Sequence, residues 1–343
     1  MVYKINGNSI VNDNREVTVD SVTVTANDRI YAGVTATISP TTAGTFQGTV
    51  AGYASGGTGL PGPGSKNNID RFLFSVDSDA TDVGDLTQAR ADPAGQSSST
   101  HGYTAGGNKL PPAPTDSNTI DRFPFSAATN ATDVGDLTQN RMGPSGQSSS
   151  THGYTSTGYI GPPYVNTIDK FPFATNTNAT DVGDATQLKA YLSSNSSDTH
   201  GYITGGYNPG VPPSPYNTIE RFPFASDTNA TDVGDLTQVG FSAAGQSSTV
   251  SGYTSGRRSA PASNTIDKFP FATNTNATDV GDLAVARGPS AGQSSTVSGY
   301  STGGFPLAPS GSVMDKFPFA TDTNATLVGN LVLGRYGPTG QQD

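Results

Sequence analysis

The residues able to do chemistry recur along this chain instead of standing alone. His101, His152 and His200 are its only histidines, and each precedes a Gly-Tyr step. Imidazoles repeated at equivalent places could converge on a metal. The matching places in other copies hold Ala51, Ser251 and Ser298, however, and ligating histidines also need carboxylate or carbonyl support. They read as polar filler near a channel, and no metal or other cofactor is expected. The stretch Asp77-Ser78-Asp79-Ala80-Thr81-Asp82-Val83-Gly84-Asp85 offers alternating oxygens of the kind calcium takes, about 6–8 of them. The bidentate Glu that closes a standard calcium loop is missing, and Asp and Asn also cap turns through their own backbone, so turn capping is expected. Asn-Ala-Thr triplets at Asn130, Asn178, Asn229, Asn276 and Asn324 match the glycosylation acceptor pattern. Met1 to Asn8 lacks the apolar run of a secretory signal, so these triplets also read as turns. Asp is abundant enough for paired carboxylates of the glycosidase kind, but no pair stands out. Absence of Cys removes thiol nucleophiles, thiolate metal sites and disulfides. No catalytic residue is assigned.

What differs between copies points to binding. The loop Gly158-Tyr159-Ile160-Gly161-Pro162-Pro163-Tyr164 differs from Gly206-Tyr207-Asn208-Pro209-Gly210 and from Gly256-Arg257-Arg258-Ser259, whereas Thr175 to Asp184 and Thr273 to Asp282 nearly coincide. Variation on a common scaffold is where binding usually sits, and Tyr and Arg are favoured anchors. The binding candidates are Tyr159, Tyr164, Tyr207, Tyr216, Arg257, Arg258 and Phe305. The plain alternative is drift, since loops tolerate change.

The scaffold is a repeat. Gly-Tyr steps at Gly52, Gly102, Gly153, Gly201, Gly252 and Gly299 interleave with acid-base-Phe-x-Phe steps starting at Asp70, Asp121, Asp169, Glu220, Asp267 and Asp315. A period of about 50 residues belongs to propellers and related arrays. In the second copy, Gly95 to Ser99 and His101 to Ala105 read as two short strands around a tight turn. Asn118 to Phe125 alternates as a third, with Asp121, Phe123 and Phe125 on one side, and Thr132 to Leu137 makes a fourth. Nothing has helical periodicity. The expected fold is all-β: a six-bladed propeller over residues 45–343, each blade a four-stranded antiparallel meander. Pro124 and its counterparts Pro172, Pro223, Pro270 and Pro318 sit in the third strand, which is therefore either exposed there or bulged. The cations Arg71, Arg122, Lys170, Arg221, Lys268 and Lys316 are expected to pair with carboxylates of their own or a neighbouring blade. The last copy stops at Pro338 to Asp343, and residues 45–50 are expected to supply the first strand of the first blade, closing the ring without an open edge. Both ends of the ring would then enter on the side of the variable loops.

At 343 residues the chain suits one large domain plus a small N-terminal one. A hydrophobic share of 33% is thin for one deep core and suits shallow cores between small sheets. Gly contributes 42 and Pro 24 residues, together below the roughly 25–30% of low-complexity disorder. A net charge of −10 and the lack of a basic stripe speak against nucleic acid. No stretch approaches the about 18 apolar residues of a membrane span.

The order of small-polar strand, aromatic strand ending in Gly-Gly, loop, and a strand such as Ile120-Asp121-Arg122-Phe123 resembles a divergent kelch repeat over residues 49–343, with Asp133-Val134-Gly135-Asp136 in place of the usual kelch Trp. That resemblance implies a propeller. A kelch-like copper oxidase is ruled out, because its Tyr-Cys crosslink needs Cys. Residues 1–44 do not share the repeat. Val17 and Val19 alternate, Val22 and Val24 do so on the opposite parity, and the switch places a bulge or turn at Asp20-Ser21. With Val2-Tyr3-Lys4-Ile5 they make a β unit too small to stand alone. Lys4 to Arg15 resembles the opening of tail-fibre-like proteins of tailed bacteriophages, especially those infecting marine cyanobacteria. The resemblance implies that residues 1–44 attach to other virion proteins, with several copies in each particle. The expected function is a non-enzymatic virion structural protein, made in the host cytoplasm, of a tail fibre, appendage or capsid decoration. Its propeller would bind a host cell-surface glycan or protein, or a neighbouring virion protein. The runner-up is a carbohydrate-active enzyme on a propeller scaffold, and the third reading is an intracellular kelch-type adaptor.

Overall fold

The computed structural model describes residues 4–5, 8–9, 46–59, 64–110, 115–259, 261–306 and 311–343. The chain divides into two compact units, 1–43 and 44–343. In the first, Lys4–Ile5 pairs antiparallel with Asn8–Ser9. The strands expected around Val17 to Val24 lie outside the described residues.

The second unit is a propeller of six four-stranded antiparallel sheets, and no helix occurs among the described residues. Blade 2 runs outward from the axis as Ala94–Ser97, His101–Ala105, Thr119–Pro124 and Thr132–Asp136. The other blades repeat this order. Turns between first and second and between third and fourth strands lie at one end, the turn face. Loops between second and third strands, and the crossovers to the next blade, lie at the other, the crossover face.

The two repeated motifs interlock. Gly102 faces Phe123 across the ladder, and a Cβ there would lie 2.3 Å from the Phe123 ring. Glycine thus lets that ring lie flat on its own blade while Tyr53 of blade 1 covers it, with centroids 5.5 Å apart. Tyr103 stacks in turn on Phe173 of blade 3 at 4.8 Å and 27°. The same stack joins Tyr53 to Phe125, Tyr154 to Phe224, Tyr202 to Phe271, Tyr253 to Phe319 and Tyr300 to Phe74. Such offset aromatic pairs add about 0.5–1.5 kcal/mol each beyond the area they bury. The core is accordingly split into six small clusters, one at each blade junction.

Near the axis an amide belt ties the blades together. Gln96 donates to the Tyr154 carbonyl, Gln147 to Tyr202, Asn195 to Tyr253, Gln246 to Tyr300, Gln293 to Tyr53 and Gln341 to Tyr103. Each bond runs from one blade to the next and satisfies a buried carbonyl.

The two ends of the ring meet in one sheet, as expected, but a different strand closes it. The innermost strand of blade 1 is the C-terminal Thr339–Gln342, antiparallel to Ala51–Ser55, and not residues 45–50. Gly340-Gln341 reproduces the order of Gly95-Gln96. Gly340 admits close packing, since a Cβ there would lie 2.0 Å from the Gly292 carbonyl oxygen, and Gln341 completes the belt. Gln47-Gly48 has the reverse order and cannot do both. Instead, Phe46 is 4% exposed at the channel's end, Gln47 donates to the Ser247 and Ser295 carbonyls, and the Gly48 N–H donates to Ser294. The chain therefore enters the ring at the turn face, opposite the variable loops, where the sequence had suggested the same side.

Pro124 ends its strand. Pairing with the outermost strand has already stopped at Arg122 and Thr132, so the missing N–H removes no ladder bond there; the bulge sits earlier, between Ile120 and Asp121. No helix of the described residues is long and apolar enough to cross a membrane.

Candidate functional site

The repeated acids hold the ring together. Asp121 is buried against Arg90 from the preceding crossover, 2.5 Å away, and accepts the N–H and hydroxyl of Thr87 at 2.9 and 2.7 Å. Arg141–Asp169, Lys189–Glu220, Arg287–Asp315 and Arg335–Asp70 repeat the pair. Blade 5 makes it from a different position. Gly240 stands where the crossover cation belongs, and Arg257, at the place of Gly107, sends its guanidinium to Asp267 at 2.5 Å. A Cβ on Gly240 would meet the Arg257 Cδ at 2.6 Å, so the two positions share one volume. Arg257 is 1% exposed and belongs to this buried pair, not to the contact surface expected from sequence. In blades 1 and 6 the threonine is replaced by Val332 and Ala284. There Oδ1 of Asp70 and of Asp315 has no partner, and burial holds both carboxyls above the usual range.

Other repeated groups are structural too. Lys170, Lys268 and Lys316 reach Asp227, Asp322 and Asp77 of the next blade, while Arg122 donates to Asn176. Each histidine sits on a second strand with Nδ1 2.8 Å from the hydroxyl of the preceding threonine, and the three do not converge. Among the described residues, no group of three His, Asp or Glu side chains could hold a metal. Asn178 of an Asn-Ala-Thr triplet accepts the Asp136 N–H of the preceding blade, and the other four triplets do the same, so these turns clasp neighbouring blades.

Residues that break the repeat gather on the crossover face in two rings. The inner ring is Asp92, Gly143, Tyr191, Ser242, Pro289 and Gly337. Backbone N–H groups link it: Gly143 to Asp92, Tyr191 to Gly143, Ser242 to Tyr191, Gly337 to Pro289 and Asp92 to Gly337, at 2.7–3.1 Å. The remaining link is absent because Pro289 has no N–H. This ring surrounds a cavity of about 50 Å³ at the mouth of the axial channel, whose own volume is about 120 Å³.

Around it, single bridges pair Ala91 with Asn108, Met142 with Tyr159, Ala190 with Tyr207, Phe241 with Arg258 and Gly288 with Phe305, and Tyr336 pairs with Thr58. Tyr159, Tyr207, Arg258 and Phe305 therefore occupy one position in four successive blades. Tyr207 stacks on Phe241 at 4.8 Å and 27°, and the Arg258 guanidinium lies 5.7 Å over the same ring. Tyr159 and Tyr164 are 4.8 Å apart, and Phe305 meets Tyr336 edge-on at 5.9 Å. Tyr216, by contrast, is 4% exposed and donates its hydroxyl to the Val211 carbonyl at 2.8 Å, pinning its own loop.

Burial pushes the Asp92 carboxyl up to about 6 against the pull of Arg258. Burial and the charge of Asp92 together hold the Tyr191 phenol above its usual range. Asp92, Tyr191, Phe241 and Tyr336 are site residues that the loops alone do not reveal. They lie in the crossovers, and their signal is that no two copies carry the same pair of residues at the two positions after the crossover cation or, in blade 5, after Gly240. No protein-family model matches the chain, and no curated protein matches it either.

Proposed function

We propose that this chain is a non-enzymatic virion structural protein of a tailed phage, a kelch-like propeller borne on a tail fibre, appendage or capsid. Its crossover face contacts the host surface or a neighbouring virion protein. One observation supports the binding role: aromatic residues and Arg258 collect on the crossover face, while the chain enters the ring at the turn face with Phe46. Aromatic residues and arginine are the side chains most favoured as interface anchors. The virion role rests on the likeness of Lys4 to Arg15 to tail-fibre openings, with residues 1–44 as the attachment segment. The test is mass spectrometry of purified particles from lysed host cells. The chain should appear there in several copies per particle; finding it only in the soluble fraction would refute the virion role. Asp92 supports one second reading, the carbohydrate-active enzyme, because a general acid is most effective with a pKa near the working pH. Release of reducing sugar from host polysaccharide, lost in Asp92→Asn, would replace the first reading with this one.

A further inference from the structure

We propose that the turn-face corner of the propeller where blade 6 meets blade 1 pairs with the same corner of a second copy, in a two-fold dimer. This goes beyond the virion role and stands apart from it. Among the described residues, the large apolar side chains exposed on the turn face and rim are Val50, Leu73, Val76, Val250, Val297 and Leu327, and all lie on blades 5, 6 and 1. Each replaces what the repeat carries elsewhere. Val50, Val250 and Val297 stand where blades 2 to 4 have Thr100, Thr151 and Thr199, and Leu73 stands where the other five blades have proline. Val250 and Val297, at the hairpin tips of adjacent blades, are each 68% exposed. The turn face is thus polar on one half and apolar on the other, and an apolar patch rimmed by polar residues marks a contact surface.

Charge selects the partner. The outermost strands of blades 1 to 5 each carry two aspartates, such as Asp133 and Asp136 in blade 2, whereas that of blade 6, Thr326–Asn330, carries none. Leu327, 55% exposed, takes the place of the first. The charges around the corner are already engaged: Lys316 holds Asp77 and Lys268 holds Asp322, each at 2.9 Å, Asp79 accepts the Asn330 N–H, and Arg71 offsets the C-terminal Asp343. A basic partner is drawn to the acidic rim and not to this gap. Two copies of a chain with a net charge of −10 repel one another over most of their surface. At this corner they meet without opposing unpaired carboxylates. A two-fold axis sets one patch against itself, so apolar side chains meet apolar ones and each Lys–Asp pair offers both signs to its own copy.

The experiment is sedimentation velocity of the full chain at increasing concentration. The chain should sediment as a dimer that dissociates on dilution. Val250→Thr, Val297→Thr and Leu327→Asp together restore residue types that other blades carry, so the triple variant should keep the fold, which circular dichroism checks. Each change counts on both sides of the two-fold, and the dimer dissociation constant should rise by about tenfold or more. Leu188→Asn, which gives an exposed position of the crossover face the residue type of Asn140, should leave it unchanged. Association that survives the triple variant would place the contact elsewhere and overturn the proposal. So would monomers at every concentration; a melting temperature lowered in the variant would then mean that the same chain covers the corner, and an unchanged one that the corner is bare. A monomeric chain still found in particles would refute this contact and leave the virion role standing.

Discussion

A buried charge is tolerated only when its partners are complete, and the six ion pairs show both the rule and its exceptions. Breaking Arg90–Asp121 by Arg90→Ala strands a carboxylate in the junction, and the expected loss is about 3–5 kcal/mol, measured by urea unfolding. Arg257→Gly should cost a similar amount. Gly240→Arg introduced beside it should restore most of the loss, because the two positions fill one volume and serve one carboxylate. Gly240→Arg alone should crowd Arg257 and destabilise, giving a large coupling in the double-mutant cycle. Val332→Thr and Ala284→Thr supply the missing hydroxyl to Asp70 and Asp315, and each should stabilise by about 0.5–1.5 kcal/mol near pH 7. The sign with pH is fixed. A raised folded pKa means that the folded state binds the proton more tightly, so stability from these carboxyls is full below their unfolded value, about pH 4, and is lost as pH rises through the folded value. The threonine variants lower the folded pKa, so their gain should vanish in acid unfolding measurements.

At the scale of the strand, glycine and aromatic residue are one device. Gly102→Ala places a methyl 2.3 Å from the Phe123 ring, and displacing that ring disturbs its contact with Tyr53 in the next sheet. Overpacking of this kind costs about 1–3 kcal/mol, and differential scanning calorimetry should show the fall in melting temperature. Strands, blade number and the two unlike faces are legible in the repeat, because glycine, tyrosine and phenylalanine recur at fixed offsets. Partners in space were less legible. Asp121 stands next to Arg122 in the sequence, yet its cation is Arg90, far back along the chain across a junction. Arg257 looked like a loop arginine because its role shows only when it is set against the glycine at 240. Tyr216 looked like a contact residue because burial of a loop depends on how that loop folds back. Ring closure was open to reading in the opposite orders of Gln47-Gly48 and Gly340-Gln341, and the amide belt explains why order decides.

At the scale of the whole molecule, the last five residues complete a ring that otherwise has an open sheet edge. Deleting 339–343 removes the innermost strand of blade 1 and the Gln341 bonds, leaving Ala51–Ser55 unpaired on one side. Exposed edges recruit other chains, so the truncated protein should aggregate or unfold in more than one step by light scattering and calorimetry. The chain enters the closed ring at the turn face while its repeat-breaking aromatic residues collect on the crossover face, and that polarity is the centre of the functional account. Electron cryo-imaging of purified phage particles tests it most directly. The account predicts a six-bladed toroid attached by its turn-face side, with the Tyr207 and Phe241 surface directed outward. Particles without such a toroid, or a toroid seated with its crossover face against the particle, would contradict it.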